Sequence, residues 1–432
     1  MSILQDSQKR TERAALLYNA PSWLIEELRK PRRIENIKVQ AMTKRGEETF
    51  TGAVVHDVNP YTIGIPHPYK GGIRYKAYSS EEDMIETLLV LARDMTYKHG
   101  LYRLPFGGAK GCMNLDVSRF SQAELKYITQ GLVLEMVGAN ILDPDIFVPG
   151  PDYGTNAETM KWMYFFYGKL NRNLHRPNPA AVVTGKPVEF DGFPGRDDAT
   201  ARGGLIVYDA LVKSGKALPK MAIQGFGNVG ANLFKLLSSP DFQVSGAVVA
   251  VADVSSGIYN PKGLTYDDIA KYYLENRSFA GYKEGDNIKP EEIITAGEYD
   301  TFFTAAQEGL LNKENASKLK TKRIEELGNA AITEDADQIF EDKGIEVFPD
   351  IFANAGGVIV SSFEWRKNRG DIAHDVDLYE LETWGHNELA EILKMCAKEV
   401  SNVKRKFKTS LRIAAHIVAL QRLEFLMQRK KD

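Results

Sequence analysis

Cysteine is nearly absent from this chain: Cys112 and Cys396 are the only two in 432 residues. Neither a disulfide framework nor a cysteine zinc site is indicated, and a reducing compartment, the cytoplasm, is expected. The seven histidines are scattered without H-E-x-x-H or H-x-H spacing, so no metal is expected in the chemistry. No apolar run is long enough to cross a bilayer, and Met1 to Arg13 is polar, without the apolar core of a secretory signal. Lysine plus arginine number 55 against 58 aspartate plus glutamate, a net charge of −3. No bulk positive charge advertises nucleic acid or an anionic membrane, so any cationic site must be local. Low-complexity segments and internal repeats are missing too.

What is present fits a globular protein, 43% hydrophobic and 26% charged. A chain of this length exceeds one ordinary hydrophobic core, and two domains are expected. Glycine, proline and charge accumulate from Gly185-Lys186-Pro187 to Gly192-Phe193-Pro194-Gly195-Arg196-Asp197-Asp198, as at an interdomain crossing. The first domain is expected over residues 1–185 and the second over 186–362, with helices of 363–432 returning to pack on the first. In that tail Leu389, Ile392, Leu393, Cys396, Val400, Val403 and Phe407 keep helical spacing, followed by a second amphipathic stretch from Leu411 to Met427. The terminal Arg429-Lys430-Lys431 reads as a solvated helix end.

The second domain alternates helical segments with short apolar strands, Met221 to Gln224 and Ala247 to Ala252, which predicts an α/β fold with a Rossmann-type parallel sheet. Between strand and helix stands Gly225-Phe226-Gly227-Asn228-Val229-Gly230. Gly225 allows the tight turn, Gly227 lets a pyrophosphate approach the backbone, and Gly230 permits close packing of helix on strand. Asp253 ends the next strand, where an acid would hold a ribose 2′-hydroxyl and repel a 2′-phosphate, so NAD is favoured while NADP is possible. It could equally be a turn residue before Ser255-Ser256-Gly257.

Three lysines set near glycines lie in the first domain: Lys70 before Gly71-Gly72, Lys98, and Lys110 in Gly107-Gly108-Ala109-Lys110-Gly111. Each alone could be an exposed turn lysine, but together they fit a carboxylate-binding cleft. A helix is predicted over 81–98, and Lys98 continues its apolar stripe of Met84, Leu88, Leu91 and Met95. Its amine either snorkels to solvent or faces a carboxylate. Lys110 is the candidate general acid and base, since burial and a second lysine favour its neutral amine. Asp152, in Pro149-Gly150-Pro151-Asp152, is a candidate for proton traffic or the N-cap of the next helix.

These residues resemble the glutamate dehydrogenase family, within the wider group of glutamate, leucine, phenylalanine and valine dehydrogenases. The likeness runs along nearly the whole chain. It is carried by Pro68 to Arg74, Met95 to Lys98, Leu104 to Gly111, Pro151-Asp152 with Thr155-Asn156, Thr184 to Pro187, Gly195-Arg196 with Ala199-Thr200, the glycine loop, and Pro349-Asp350 through Ala353-Asn354-Ala355-Gly356-Gly357-Val358 to Phe363-Glu364-Trp365. The resemblance implies a two-domain α/β enzyme, the N-terminal domain binding substrate and oligomerising, that deaminates L-glutamate to 2-oxoglutarate and ammonia with hydride transfer to NAD(P), as a homohexamer. By it, Lys110 and Asp152 are catalytic, Lys98 holds the α-carboxylate, and Lys70 with Ser361 holds the side-chain carboxylate. Thr200 and Asn329 would lie near the nicotinamide, although one could be an ordinary helix threonine and the other a turn residue. The chain departs from the family pattern at Gly309, where asparagine is common, at Ala330 and Ala331, where glycine and proline follow Asn329, at Ala201, at Cys112 and in the loop after Arg74. Alternatives that stay open are a regulatory subunit of a mixed oligomer and a leucine- or phenylalanine-type enzyme.

Overall fold

A computed structural model describes residues 3–61, 67–212, 219–240, 242, 246–372 and 376–428. Residues 429–432, with the basic cluster expected as a helix end, lie outside the described residues. The chain folds as two units, one of Met1–Arg196, Val358–His386 and Ala419–Asp432, the other of Asp197–Gly357 and Asn387–Val418.

The first unit runs α1 (Ile3–Tyr18), α2 (Ser22–Arg29), β1 (Arg33–Thr43), β2 (Gly46–His56), β3 (Tyr69–Tyr75), α3 (Glu81–Leu101), β4 (Gly107–Met113), α4 (Gln122–Gly138), β5 (Phe147–Pro151) and α5 (Ala157–Leu174). Its sheet has the order β1-β2-β4-β3-β5. The outer pair β1-β2 and the β2-β4 pair are antiparallel, and β3 is parallel to both β4 and β5. One face is packed by α4 and α5 through Leu125, Ile128, Leu132, Met160 and Met163. On the other, Met84, Leu88 and Ala92 of α3 meet Ala53 and Val55. Gly108 allows this approach, since a side chain there would strike the α3 backbone at Ala92 and Thr96.

The second unit contains α6 (Ala199–Leu211), β6 (Lys220–Gln224), α7 (Asn228–Leu237), β7 (Ala247–Ala252), β8 (Gly257–Tyr259), α8 (Tyr266–Asn276), β9 (Asp286–Ile288), β10 (Tyr299–Thr304), β11 (Thr321–Glu326), α9 (Glu334–Asp342), β12 (Glu346–Phe348) and α10 (Asp350–Ala353). Its strand order is β12-β11-β10-β6-β7-β8-β9. The first five are parallel, as the alternating pattern predicts, and β8 and β9 add an antiparallel edge. Neighbours on either side of β6 connect in opposite directions, which opens a crevice at its carboxyl end.

Three helices close the chain: α11 (Gly356–Arg369), α12 (Leu378–Phe407) and α13 (Leu411–Gln428). The helices of 363–432 are expected to pack back on the first unit; residues 387–418 group with the second, where Lys404 pairs with Glu346 and Arg412 is buried among Glu326, Asp337 and Asp350. No helix among the described residues is long and apolar enough to cross a membrane.

Candidate functional site

Strand alternation decides which residues of the first sheet share a face. Lys70 pairs with Gly108 across β3-β4, so Lys110, two further, projects to the same side as Lys70 and Gly72. Gly72 pairs with Gly150 across β3-β5, which brings Asp152 to that side as well. There Lys110 Nζ lies 2.9 Å from Asp152 Oδ2, and Arg74 Nε lies 3.0 Å from the same oxygen. Burial pushes the Asp152 carboxyl up, but the Lys110 and Arg74 charges outweigh it and hold the acid well below its ordinary range. Gly72 makes the pair possible, since a Cβ would lie 2.8 Å from Asp152 Cβ and 3.3 Å from Lys110 Nζ.

Asp152 is not the cap of α5. Asn156 fills that place, its side chain accepting from Thr159 N in a reciprocal capping box. Asp152 is held from behind, its N–H donating to Thr155 Oγ1 at 2.9 Å while that hydroxyl donates to Ile73 O at 2.8 Å.

Lys70 is fully buried and donates to Thr184 Oγ1 at 2.6 Å, and Thr184 Oγ1 lies 2.6 Å from Ser361 Oγ. Ser361 and Glu364 sit three apart on α11 and face the same turn. Glu364 Oε2 accepts from Gly185 N at 2.7 Å, and its Oε1 lies 2.8 Å from Lys186 Nζ, both side chains wholly excluded from solvent. The same ammonium donates to Ala180 O and Val183 O at 3.0 and 2.8 Å. This satisfied buried pair fixes the 184–186 turn that presents Thr184 to Lys70. Burial pushes the Lys70 amine well below the ordinary lysine range, with the Arg196 and Lys186 charges adding to the effect and Glu364 opposing it.

Lys98 is buried in the last turn of α3, in line with Met84, Leu88, Leu91 and Met95, so its amine does not snorkel to solvent. Burial, aided by the charges of Lys70 and then Lys98, lowers the neighbouring His99 imidazole to about 3. Both lysines therefore act on one neutral ring.

In the second unit the glycine loop spans the turn from β6 into α7. Gly225 has φ +105°, and a side chain there would strike Ala305 O. Gly227 is the N-cap of α7, exposed, with nothing within 4 Å of where its Cβ would be. Gly230 packs so close to Gly225 O that a Cβ is barred. Asn228 and Val229 open the helix, Asn228 Nδ2 donating to Asp197 O at 2.9 Å. An unencumbered glycine backbone under the first amides of a helix, at the sheet's crevice, suits a dinucleotide pyrophosphate.

Asp253 follows β7 and forms the turn that its local sequence allowed, Oδ1 accepting from the N–H groups of Ser255 and Ser256, each at 2.7 Å. Thr200 is the second residue of α6, its hydroxyl packed against Gly357. Asn329 Oδ1 accepts from Asn354 Nδ2 at 3.0 Å. Gly309 has φ +70° with open space around its Cβ position.

Sequence reasoning assigned no role to Arg74, Thr184, Lys186 or Glu364. Alternation places Arg74 on the same side as Lys70 and Gly72, and that signal could have found it. Thr184 and Glu364 have no local signal, since their partners lie over a hundred residues away.

The family model "Glu/Leu/Phe/Val dehydrogenase, dimerisation domain" matches residues 31–169, and "Glutamate/Leucine/Phenylalanine/Valine dehydrogenase" matches 192–430. A glutamate dehydrogenase of Thermotoga maritima is 34% identical over 99% of this chain and 98% of its own. An NADP-specific glutamate dehydrogenase of Synechocystis is 33% identical over 99% and 97%. Among solved structures, the hetero-hexameric glutamate dehydrogenase from Thermus thermophilus, in a leucine-bound form, is 27% identical with a TM-score of 0.85, covering 98% of this chain and 95% of that one.

Proposed function

Because this chain belongs to the glutamate/leucine/phenylalanine/valine dehydrogenase family, we propose that it catalyses the reversible NAD(P)-dependent oxidative deamination of L-glutamate to 2-oxoglutarate and ammonia. Its two curated relatives at 33–34% identity are glutamate dehydrogenases. The observation that carries the substrate assignment is Lys70, buried with Thr184 and Ser361. A distal carboxylate placed there gains a charge-assisted hydrogen bond, whereas a leucine side chain would leave that amine unmatched in a dry pocket.

Lys98 holds the α-carboxylate and Lys70 with Ser361 the side-chain carboxylate. Lys110 assists water attack on the imine and stabilises the carbinolamine, and Asp152, already in contact with it, moves protons on and off the amino group. The nicotinamide, when bound, accepts hydride from the α-carbon. Gly225, Gly227, Asn228, Val229 and Gly230 cradle the pyrophosphate, Asp253 the adenine-side ribose, and Thr200 and Asn329 the nicotinamide end. NAD is the favoured dinucleotide because Asp253 would repel a 2′-phosphate. The working assembly is a homohexamer, a reading supported by the matched dimerisation domain, and the working compartment is the cytoplasm, supported by two buried cysteines that form no disulfide.

Steady-state rates with glutamate and leucine, each with NAD and NADP, test the assignment. Glutamate should be preferred, and Lys70→Leu should weaken 2-oxoglutarate turnover while sparing apolar 2-oxo acids. An unchanged substrate ranking in that variant refutes the pocket assignment.

A further inference from the structure

The helix α13 carries Arg412, one of the largest fully buried side chains, into a cluster of three acids. Its Nη2 lies 2.7 Å from Glu326 Oε2, Nε lies 2.9 Å from Asp337 Oδ2, and Nη1 lies 3.8 Å from Asp350 Oδ1. Every member is less than 5% exposed. Such a cluster costs desolvation and is retained only when its groups are matched. Two of the acids also accept from backbone amides of one short loop, residues 327–332. Glu326 Oε1 accepts from Ile332 N at 3.0 Å, and Asp350 Oδ2 accepts from Ala330 N at 2.8 Å. Asp350 N in turn donates to Glu326 Oε2 at 3.2 Å.

That loop presents Asn329 and braces the segment with Gly309, since Gly309 N donates to Ala330 O at 2.9 Å and Gly328 N to Thr304 O at 2.7 Å. Ala330 has φ +48°, in the left-handed region. An alanine there is strained relative to ordinary helical backbone. The family resemblance puts a glycine at this place, which would adopt it freely. In this chain the strained residue is held by the Asp350 carboxylate, and Asp350 is tied by its N–H to Glu326, which the guanidinium meets at 2.7 Å.

We propose that Arg412 is a positioning residue for the dinucleotide site: through Glu326 and Asp350 it fixes the strained 327–332 loop and so aims Asn329 at the nicotinamide end. The inference rests on the placement of Asn329 given under the proposed function. It makes the start of α13 part of the cofactor machinery of the second unit, without contact between Arg412 and the cofactor.

The test is calorimetric titration of NADH into the wild type, Arg412→Lys and Arg412→Lys with Ala330→Gly, alongside glutamate kinetics. Arg412→Lys keeps one charge but cannot span three carboxylates. It should weaken NADH binding about tenfold with the glutamate KM within twofold of the wild type, and the added glycine should recover at least threefold. Unchanged NADH affinity, or equal losses for NADH and glutamate, overturns the proposal. Hydrogen exchange on the wild-type chain decides independently of how the variants fold. The Ala330 and Ile332 amides should exchange as slowly as those of β11, and exchange at free-loop rates overturns it. Wild type that binds NADH yet does not oxidise glutamate would sink the proposed function and leave this effect on NADH measurable.

Discussion

A single methyl group at position 72 tests the chemistry assigned to Lys110 and Asp152. Gly72→Ala adds a Cβ 2.8 Å from Asp152 Cβ and 3.3 Å from Lys110 Nζ. Carbon atoms settle at about 3.5–4.0 Å, so Asp152 must retreat by about 1 Å. Its backbone has little freedom to do so, because Thr155 ties residue 152 to Ile73 and β5 is paired to β3 through Gly72 and Gly150. The carboxylate therefore moves away from Lys110. A misplacement of about 1 Å costs about 100-fold in rate, or about 2.7 kcal/mol at about 1.36 kcal/mol per tenfold. Overpacking should cost a further 1–3 kcal/mol or so of stability. The assay is initial-rate NAD(P)H absorbance at saturating glutamate, paired with calorimetric NADH binding, which should stay unchanged because the glycine loop proposed to bind it lies in the other unit. Gly168→Ala in α5 is the control, since nothing lies within 4 Å of its Cβ position and alanine favours helix. A Gly72→Ala enzyme within threefold of the wild-type kcat would refute the assignment.

Burial depresses the Lys70 amine, and a bound carboxylate favours its charged form, so 2-oxoglutarate binding should take up a proton. Affinity should fall as pH rises through the free-protein pKa, by up to about tenfold per pH unit. Calorimetry in buffers of different ionisation enthalpy checks this, and no proton uptake would contradict it. Gly309→Asn should improve NAD(P)H affinity severalfold, because the site is open, its φ is +70° and asparagine tolerates that region; a fluorescence titration with unchanged Kd speaks against it. Glu325 is wholly buried with neither carboxylate oxygen partnered among the described residues, and burial holds its pKa well above the ordinary value. The folded state therefore binds a proton that the unfolded chain releases near its ordinary pKa, so stability should fall as pH rises above about 4.5 towards the raised value. Glu325→Gln should flatten that fall in denaturant titrations at pH 5, 6.5 and 8; a wild-type curve without the slope would show the carboxyl to be relieved by other means.

How much of this was legible depends on the range of each interaction. The glycine loop, the strand before it and the helix after it follow from neighbours in sequence, because a tight turn, a positive φ and a helix start are local demands. The buried stripe of α3 is likewise written in its periodicity and carries Lys98 to the interior. Alternation along β3 announces that Lys70 and Gly72 share a face, but not what lies opposite. That Asp152 is an ion-pair partner rather than a helix cap emerges only when β5 takes its register beside β3 and Asn156 fills the cap. Asp253 shows the converse, since its turn was readable from the two serines that follow.

Composition, glycine placement and periodicity thus determine the fold class, the glycine loop and the placing of the three lysines, because each depends on residues within a turn or a strand of one another. Tertiary structure alone decides which acid meets Lys110, that Thr184 bridges Lys70 to Ser361 across 177 residues, and that Arg412 returns to Glu326 and Asp350. Those pairings depend on where charges are desolvated together, and desolvation is a property of the assembled interior that no stretch of sequence possesses by itself.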